Sequence, residues 1–336
     1  MQWKGLRYRG GVFMVREEHF YFASSEGTAK CHGVRWIPEG QIKAVVQLVH
    51  GMAEYIERYR EFAQYLAERG VLVTGHDHLG HGGTVEDPAD YGYFAGENGN
   101  LCMIEDIHHL LKFTKQKYVA DADGTERVPY ILFGHSMGSF LTRQYLCVKG
   151  SELDGAVICG TGDYPYAVAR LAMTLAKAGA VLHGWRYRSK LLEWIVAGSS
   201  NAKFAPNRTS ADWLCRDEKA VDAYISDSRC GFAFTANAYY NMFLGISKIG
   251  QKSYLERMPK DIPILFIAGD HDPVGNFGKG VRRVAERFEK LGVEDVECRL
   301  YEDDRHEILN ELDKDQVYAD VYDWLVRKKL TGTEGH

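Results

Sequence analysis

No Cys-x-x-Cys pair occurs among the seven cysteines of this 336-residue chain. Cys31, Cys102, Cys147, Cys159, Cys215, Cys230 and Cys298 are scattered, odd in number, and several sit inside apolar runs. That pattern argues against a disulfide framework and for reduced, mostly buried thiols in a cytoplasmic protein. No run approaches the ~18 apolar residues of a membrane span. Residues 1–7 lack the apolar core of a signal peptide, so a soluble, intracellular chain is expected. Charge of one sign is missing too: 41 basic residues face 46 acidic ones, a net of −5 with no basic stripe. Nucleic acid is therefore disfavoured as a partner. No internal repeat or low-complexity segment is visible.

What the chain does contain is 45% hydrophobic and 26% charged residues, the balance of one large domain with an insertion or of two domains. Residues 11–37 alternate loosely, like antiparallel strands. Apolar runs at 44–49, 71–74, 130–133 and 155–159 then read as buried strands. Helical spacing separates them at 55–69, 101–119 and after residue 136. Strand signals stop from about 162 to 256, where helical stretches at 166–181, 191–196 and 232–244 are broken by Gly, Ser, Asn and Pro. They resume at 262–268 and 296–301, with helices expected at 279–291 and 311–328. This alternation implies an α/β fold, a mostly parallel sheet flanked by helices. The helical insertion follows the sixth strand and leaves the sheet at the edge where ligands bind, so it should roof the site as a cap. The expected divisions are 1–161 and 257–330 for the core, 162–256 for the cap and 331–336 for a frayed tail.

The chemistry centres on Gly134-His135-Ser136-Met137-Gly138. An apolar strand runs into this G-x-S-x-G and a helix follows, so the serine sits at the tip of a strained turn with its hydroxyl exposed. A side chain at Gly134 or Gly138 would crowd that turn. Serine needs a base, and the base needs an acceptor to hold its tautomer. In the order Ser, Asp, His, both should follow Ser136 at the ends of later strands. His306 ends one such strand and is expected to be the base. Asp270 and Asp272 both follow another; Asp272 is preferred, because Pro273 orients the loop beyond it, and Asp270 then satisfies backbone donors in the turn. Oxyanion donors are expected from the backbone N–H of Met137 and of Met52, the latter approached closely because residue 51 is glycine. His50 is expected to bond its own loop and Glu54 to cap the helix that starts there. His76, Asp77, His78 and His81 match no metal-ligand spacing, so neither metal nor cofactor is expected. Asp303 and Asp304 read as a solvated loop face.

Five stretches then carry a family resemblance: His50-Gly51-Met52-Ala53-Glu54, Asp77-His78-Leu79-Gly80-His81-Gly82, the serine motif, Gly269-Asp270-His271-Asp272-Pro273-Val274 and Arg305-His306-Glu307-Ile308-Leu309-Asn310-Glu311. Spread over roughly residues 40–315, the chain resembles the α/β-hydrolase superfamily, within it the monoacylglycerol lipase/lysophospholipase group often catalogued with serine aminopeptidase-like hydrolases. The resemblance implies the α/β-hydrolase fold, a mobile helical cap and a cofactor-free Ser136–Asp272–His306 triad. The expected activity is cleavage of a carboxylic ester, a monoacylglycerol- or lysophospholipid-type small molecule, with transient contact to lipid surfaces. Phe232, Tyr239, Tyr240 and Phe243 offer an acyl channel, though residues at helical spacing are more often the internal core of a cap. The alternatives are the same machinery on an amide, peptide, thioester or metabolite ester, or a hydrolase scaffold kept for binding.

Overall fold

A computed structural model describes residues 15–119 and 128–331. The first residues of the 11–37 segment, the loop at 121–127 and the tail beyond 331 lie outside the described residues. Eight strands form one sheet in the order β1-β2-β4-β3-β5-β6-β7-β8. β1 (Arg16–Ala23) and β2 (Lys30–Ile37) pair antiparallel, and β2 joins β4 (Val71–His76) antiparallel. From there β3 (Ala44–Val49), β4, β5 (Tyr130–His135), β6 (Gly155–Cys159), β7 (Ile264–Gly269) and β8 (Val296–Tyr301) run parallel.

The apolar runs form central strands because both faces of a parallel sheet are covered, so alternation is replaced by continuous hydrophobicity. Every residue of β3 through β7 is buried. Successive side chains feed two separate cores. Val45, Leu132, Ile158 and Phe266 join one face, packed by α2 (Gly99–Tyr118), α3 (Met137–Lys149) and the helix Lys279–Lys290. Val46, Phe133, Val157 and Ile267 join the other, packed by α1 (Arg60–Ala67) and the helix Lys314–Arg327.

Between β6 and β7 the described residues hold helices and no strand. The longer ones are α4 (Tyr166–His183), α5 (Glu218–Ser226) and α6 (Ala236–Ile249), with α4 packed on α6. The two C-terminal helices named above are α7 and α8. The expected helix at 232–244 begins four residues later, at Ala236, because the Thr235 side chain accepts the Ala238 N–H and caps it. α5, capped by Asp217, was not read from the sequence at all. No helix of the described residues is long and apolar enough to cross a membrane. The parallel topology brings the ends of β3, β5, β7 and β8 to one edge, and the site is built there.

Candidate active site

β5 runs directly into α3, and the chain reverses at Ser136, held at φ 52° and ψ −118°. Such a backbone is strained for a side-chain-bearing residue and persists only where the surroundings over-determine it. Here the Ser136 N–H donates to Cys159 O at 3.0 Å, and the Ser136 carbonyl accepts the Ser139 N–H at 2.9 Å. Gly138 must lack a side chain, since a Cβ would lie 1.8 Å from the Val49 carbonyl oxygen. At Gly134 it would lie 2.2 Å from the Thr142 hydroxyl.

His306 Nε2 lies 2.8 Å from Ser136 Oγ, and its Nδ1 lies 3.0 Å from Asp272 Oδ1. Asp272 is fully buried, and its Oδ1 accepts the Val274 N–H at 2.8 Å. A carboxylate facing Nδ1 keeps the proton there and leaves Nε2 free to accept from the serine hydroxyl. Asp270 stays outside this row: its carboxylate accepts the Asp303 N–H at 2.8 Å and pairs with His271. The structure therefore brings Ser136, Asp272 and His306 together and leaves Asp270 in the turn.

The loop after β3 passes against the serine. A Cβ on Gly51 would meet Glu54 Oε1 at 2.5 Å and the Ser136 Cβ at 3.1 Å. Gly51 N–H donates to Glu54 Oε1 at 2.6 Å and Ala53 N–H to His81 Nε2 at 3.2 Å. Between them, the Met52 N–H has no acceptor among the described residues. Met137 opens α3, where the first N–H groups of a helix lack intrahelical partners. Both positions border the same cavity as Ser136.

Glu54 corrects an expectation. Rather than capping a helix, its buried carboxylate accepts from Gly51 N–H, from the Tyr59 hydroxyl at 2.9 Å and from Arg58 at 2.8 Å. Arg58 continues with a two-pronged contact to Glu307 at 2.7 Å for each prong. Burial alone would raise the Glu54 pKa; the His135 hydrogen bond and the Arg58 charge hold it well below the usual carboxylate range.

His50 lies inside the loop, its Nδ1 donating to Gly51 O at 2.8 Å and its Nε2 accepting the His78 N–H at 3.0 Å. His76, His78 and His81 are buried with their rings in contact. Asp77 is engaged by His32 and by the Ile56 and Gly83 N–H groups. Clusters with metal-like spacing lie elsewhere, and arginines occupy them. Arg60 pairs with Glu17 and Glu57, while Arg216 pairs with Asp304, with Glu311 at 3.0 Å and with Asp313 at 2.9 Å.

That second cluster overturns the solvated reading of Asp304. The side chain is fully buried, and burial together with neighbouring Glu311 pushes its carboxyl up to about 8. Asp303 is exposed as expected. Arg216 belongs to the insertion, so nothing local in the sequence announces the pairing. The same holds for Trp213, whose ring stacks on His306 with centroids 5.0 Å apart and planes 30° apart. A bond from Glu307 N–H to Leu214 O at 2.7 Å ties that segment to the histidine loop.

A cavity of about 780 Å³ opens over Ser136 and His306. Its apolar walls come mostly from the insertion, joined by Met52, Met137, Phe140 and Val274 from the core. Phe232, Tyr239 and Phe243 border it; Tyr240 does not, facing instead the Trp185 ring at 5.5 Å. Consecutive residues on a helix point about 100° apart, and here that step turns Tyr239 toward the cavity and Tyr240 toward Trp185. Met242 and Trp194 complete the lining that helical spacing alone left open.

The family model described as "Hydrolase_4: Serine aminopeptidase, S33" matches residues 40–313. The "Monoacylglycerol lipase" of Mycolicibacterium smegmatis is 26% identical over 94% of this chain and 99% of its own length. The "Monoglyceride lipase" of Homo sapiens is 24% identical, covering 88% of this chain and 86% of that protein. Among solved structures, a thermostable carboxyl esterase from Bacillus coagulans in complex with glycerol superposes with a TM-score of 0.84. It is 28% identical and covers 93% of this chain and 98% of that one.

Proposed function

The chain belongs to the serine aminopeptidase S33 family of hydrolases, and from that membership we propose that it cleaves carboxylic esters of the monoacylglycerol or lysophospholipid type through an acyl-enzyme. The observation that carries this reading is the 2.8 Å contact of Ser136 Oγ with His306 Nε2 at the floor of the apolar cavity. Ser136 attacks the ester carbonyl while His306 takes its proton, and Asp272 stabilises the imidazolium. The oxyanion develops toward the N–H groups of Met52 and Met137, His306 returns the proton to the leaving alcohol, and water repeats the sequence to release the acid.

The insertion, residues 162–256, acts as the cap, and its aromatic and aliphatic wall takes the acyl chain. The names of the lipase relatives support that assignment. Phe243 provides the test. Truncating a ring that contacts only the distal chain removes about 1–3 kcal/mol of binding in the transition state. Phe243→Ala should therefore lower kcat/KM about 10-fold or more for a decanoate ester and less than about 2-fold for acetate. Equal losses across a p-nitrophenyl ester series would remove the channel assignment.

The cap exposes Leu171, Val181, Leu182 and Leu191, with Trp194 exposed where it borders the cavity, an apolar surface unusual for a protein that meets only water. Arg170, Lys177, Arg186 and Lys190 lie in the same stretch. This face rests transiently on a lipid surface, from which single-chain substrates enter. Cosedimentation with phosphatidylcholine/phosphatidylglycerol vesicles should fall at least about threefold for Val181→Asp/Leu182→Asp. Unchanged cosedimentation would exclude this face.

A further inference from the structure

His135, the second residue of the serine motif, is buried between two groups that can only accept hydrogen bonds. Its Nδ1 lies 3.3 Å from Glu54 Oε1 and its Nε2 lies 3.2 Å from the His306 carbonyl oxygen. A neutral imidazole carries one N–H and cannot donate to both. Glu54 cannot supply the missing proton, since it already accepts from Gly51, Arg58 and Tyr59, the pattern of an ionised carboxylate. A carbonyl oxygen has no proton to give. We infer that His135 is a buried imidazolium that positions and electrostatically tunes His306, the base of the proposed mechanism.

The charge balance of the surroundings agrees. Glu54 and Glu307 are two buried anions, and Arg58 is the only other cation bonded to them among the described residues. With a neutral His135 the cluster would hold an uncompensated negative charge next to Ser136, a costly arrangement in a low-dielectric interior. With the second proton it closes at two against two. Burial by itself would lower the His135 pKa; the hydrogen bond and charge of Glu54 raise it instead.

The groups facing His135 come from every neighbouring element. Glu54, Arg58 and Tyr59 lie on the turn that leads into α1, the Tyr59 ring 6.3 Å away. His50 follows β3 and Cys159 ends β6 beside it. His306 and Glu307 approach from the last loop, the His306 ring 4.9 Å from that of His135. Two consequences follow for His306. Its main chain is pinned by the hydrogen bond to its carbonyl, which fixes where the ring hangs above Ser136. A fixed positive charge about 5 Å away also opposes a second one on the His306 ring.

The charge state rests on hydrogen-bond chemistry alone; the catalytic consequence rests on His306 being the base. Nitrogen-15 spectra of histidine-labelled protein at about pH 7.5 separate the two. The His135 signals are identified by their loss in His135→Gln or His135→Asn, or by sequential assignment of the wild type if neither variant folds. Both ring nitrogens should show the protonated pattern, and Glu54→Gln should convert His135 to a neutral tautomer. A neutral His135 in the wild type would overturn the proposal. In the rate profile, His135→Gln should shift the acid limb of kcat/KM upward by about one pH unit. A fall in rate with that limb unmoved would mean a structural role and overturn the tuning. Failure of the underlying mechanism would look different: Ser136→Ala would stay active whatever the state of His135.

Discussion

Ser136→Ala lowers the turnover of an acyl ester by about 10⁴-fold or more and leaves folding stability nearly unchanged. Among the described residues the hydroxyl has one side-chain partner, His306 Nε2, and alanine tolerates the positive φ no worse than serine does. What remains is the rate that a bound, polarised ester reaches without a nucleophile, supported by the Met52 and Met137 N–H groups. His306→Ala should fall to a similar floor, and the double variant should lose no more than the single ones, because the two act as a unit. Steady-state kinetics on a soluble butyrate ester measures all three. A double variant slower than either single by the product of their effects would mean that the residues contribute independently, contrary to the mechanism.

The second large effect is on folding. Gly138→Ala should destabilise the protein by more than about 4 kcal/mol or prevent it from folding. The added methyl would meet the Val49 carbonyl oxygen at 1.8 Å, its carbon at 2.6 Å and the His50 carbonyl oxygen at 2.7 Å. These are main-chain atoms at the end of β3, where the oxyanion loop begins, so relief requires moving α3 off the sheet. Gly96→Ala is the control. None of the described residues lies within 4 Å of a Cβ there, and the change should stay within about 0.5 kcal/mol. Urea unfolding compares the two; similar midpoints would show that the elbow has room that its geometry denies.

The site was readable in the sequence because each of its residues follows its own strand. Val45–Val49, Tyr130–Phe133, Ile264–Ala268 and Val296–Tyr301 are apolar enough to identify, and His50-Gly51, Ser136, Asp272 and His306 come within a few residues of their ends. Parallel topology does the rest. What stayed hidden depends on contacts between distant segments. Asp304 looked solvated because Arg216, the residue that accompanies it into the interior, lies 88 positions away. Glu54 sits where a capping residue would stand, and only the folded chain shows its carboxylate turned back to Gly51 and on to Arg58. Tyr240 carried the same aromatic signal as Tyr239. Which of them meets the cavity is decided by how α6 rotates against its neighbours, and composition holds no record of that.

Covalent labelling tests the central claim most directly. After incubation with a fluorophosphonate ester at neutral pH, intact-protein mass should rise by one adduct, and peptide mapping should locate it on Ser136. The adduct should be absent from Ser136→Ala. An adduct that persists in that variant, or that maps to another residue bordering the cavity such as Cys230, would contradict the account.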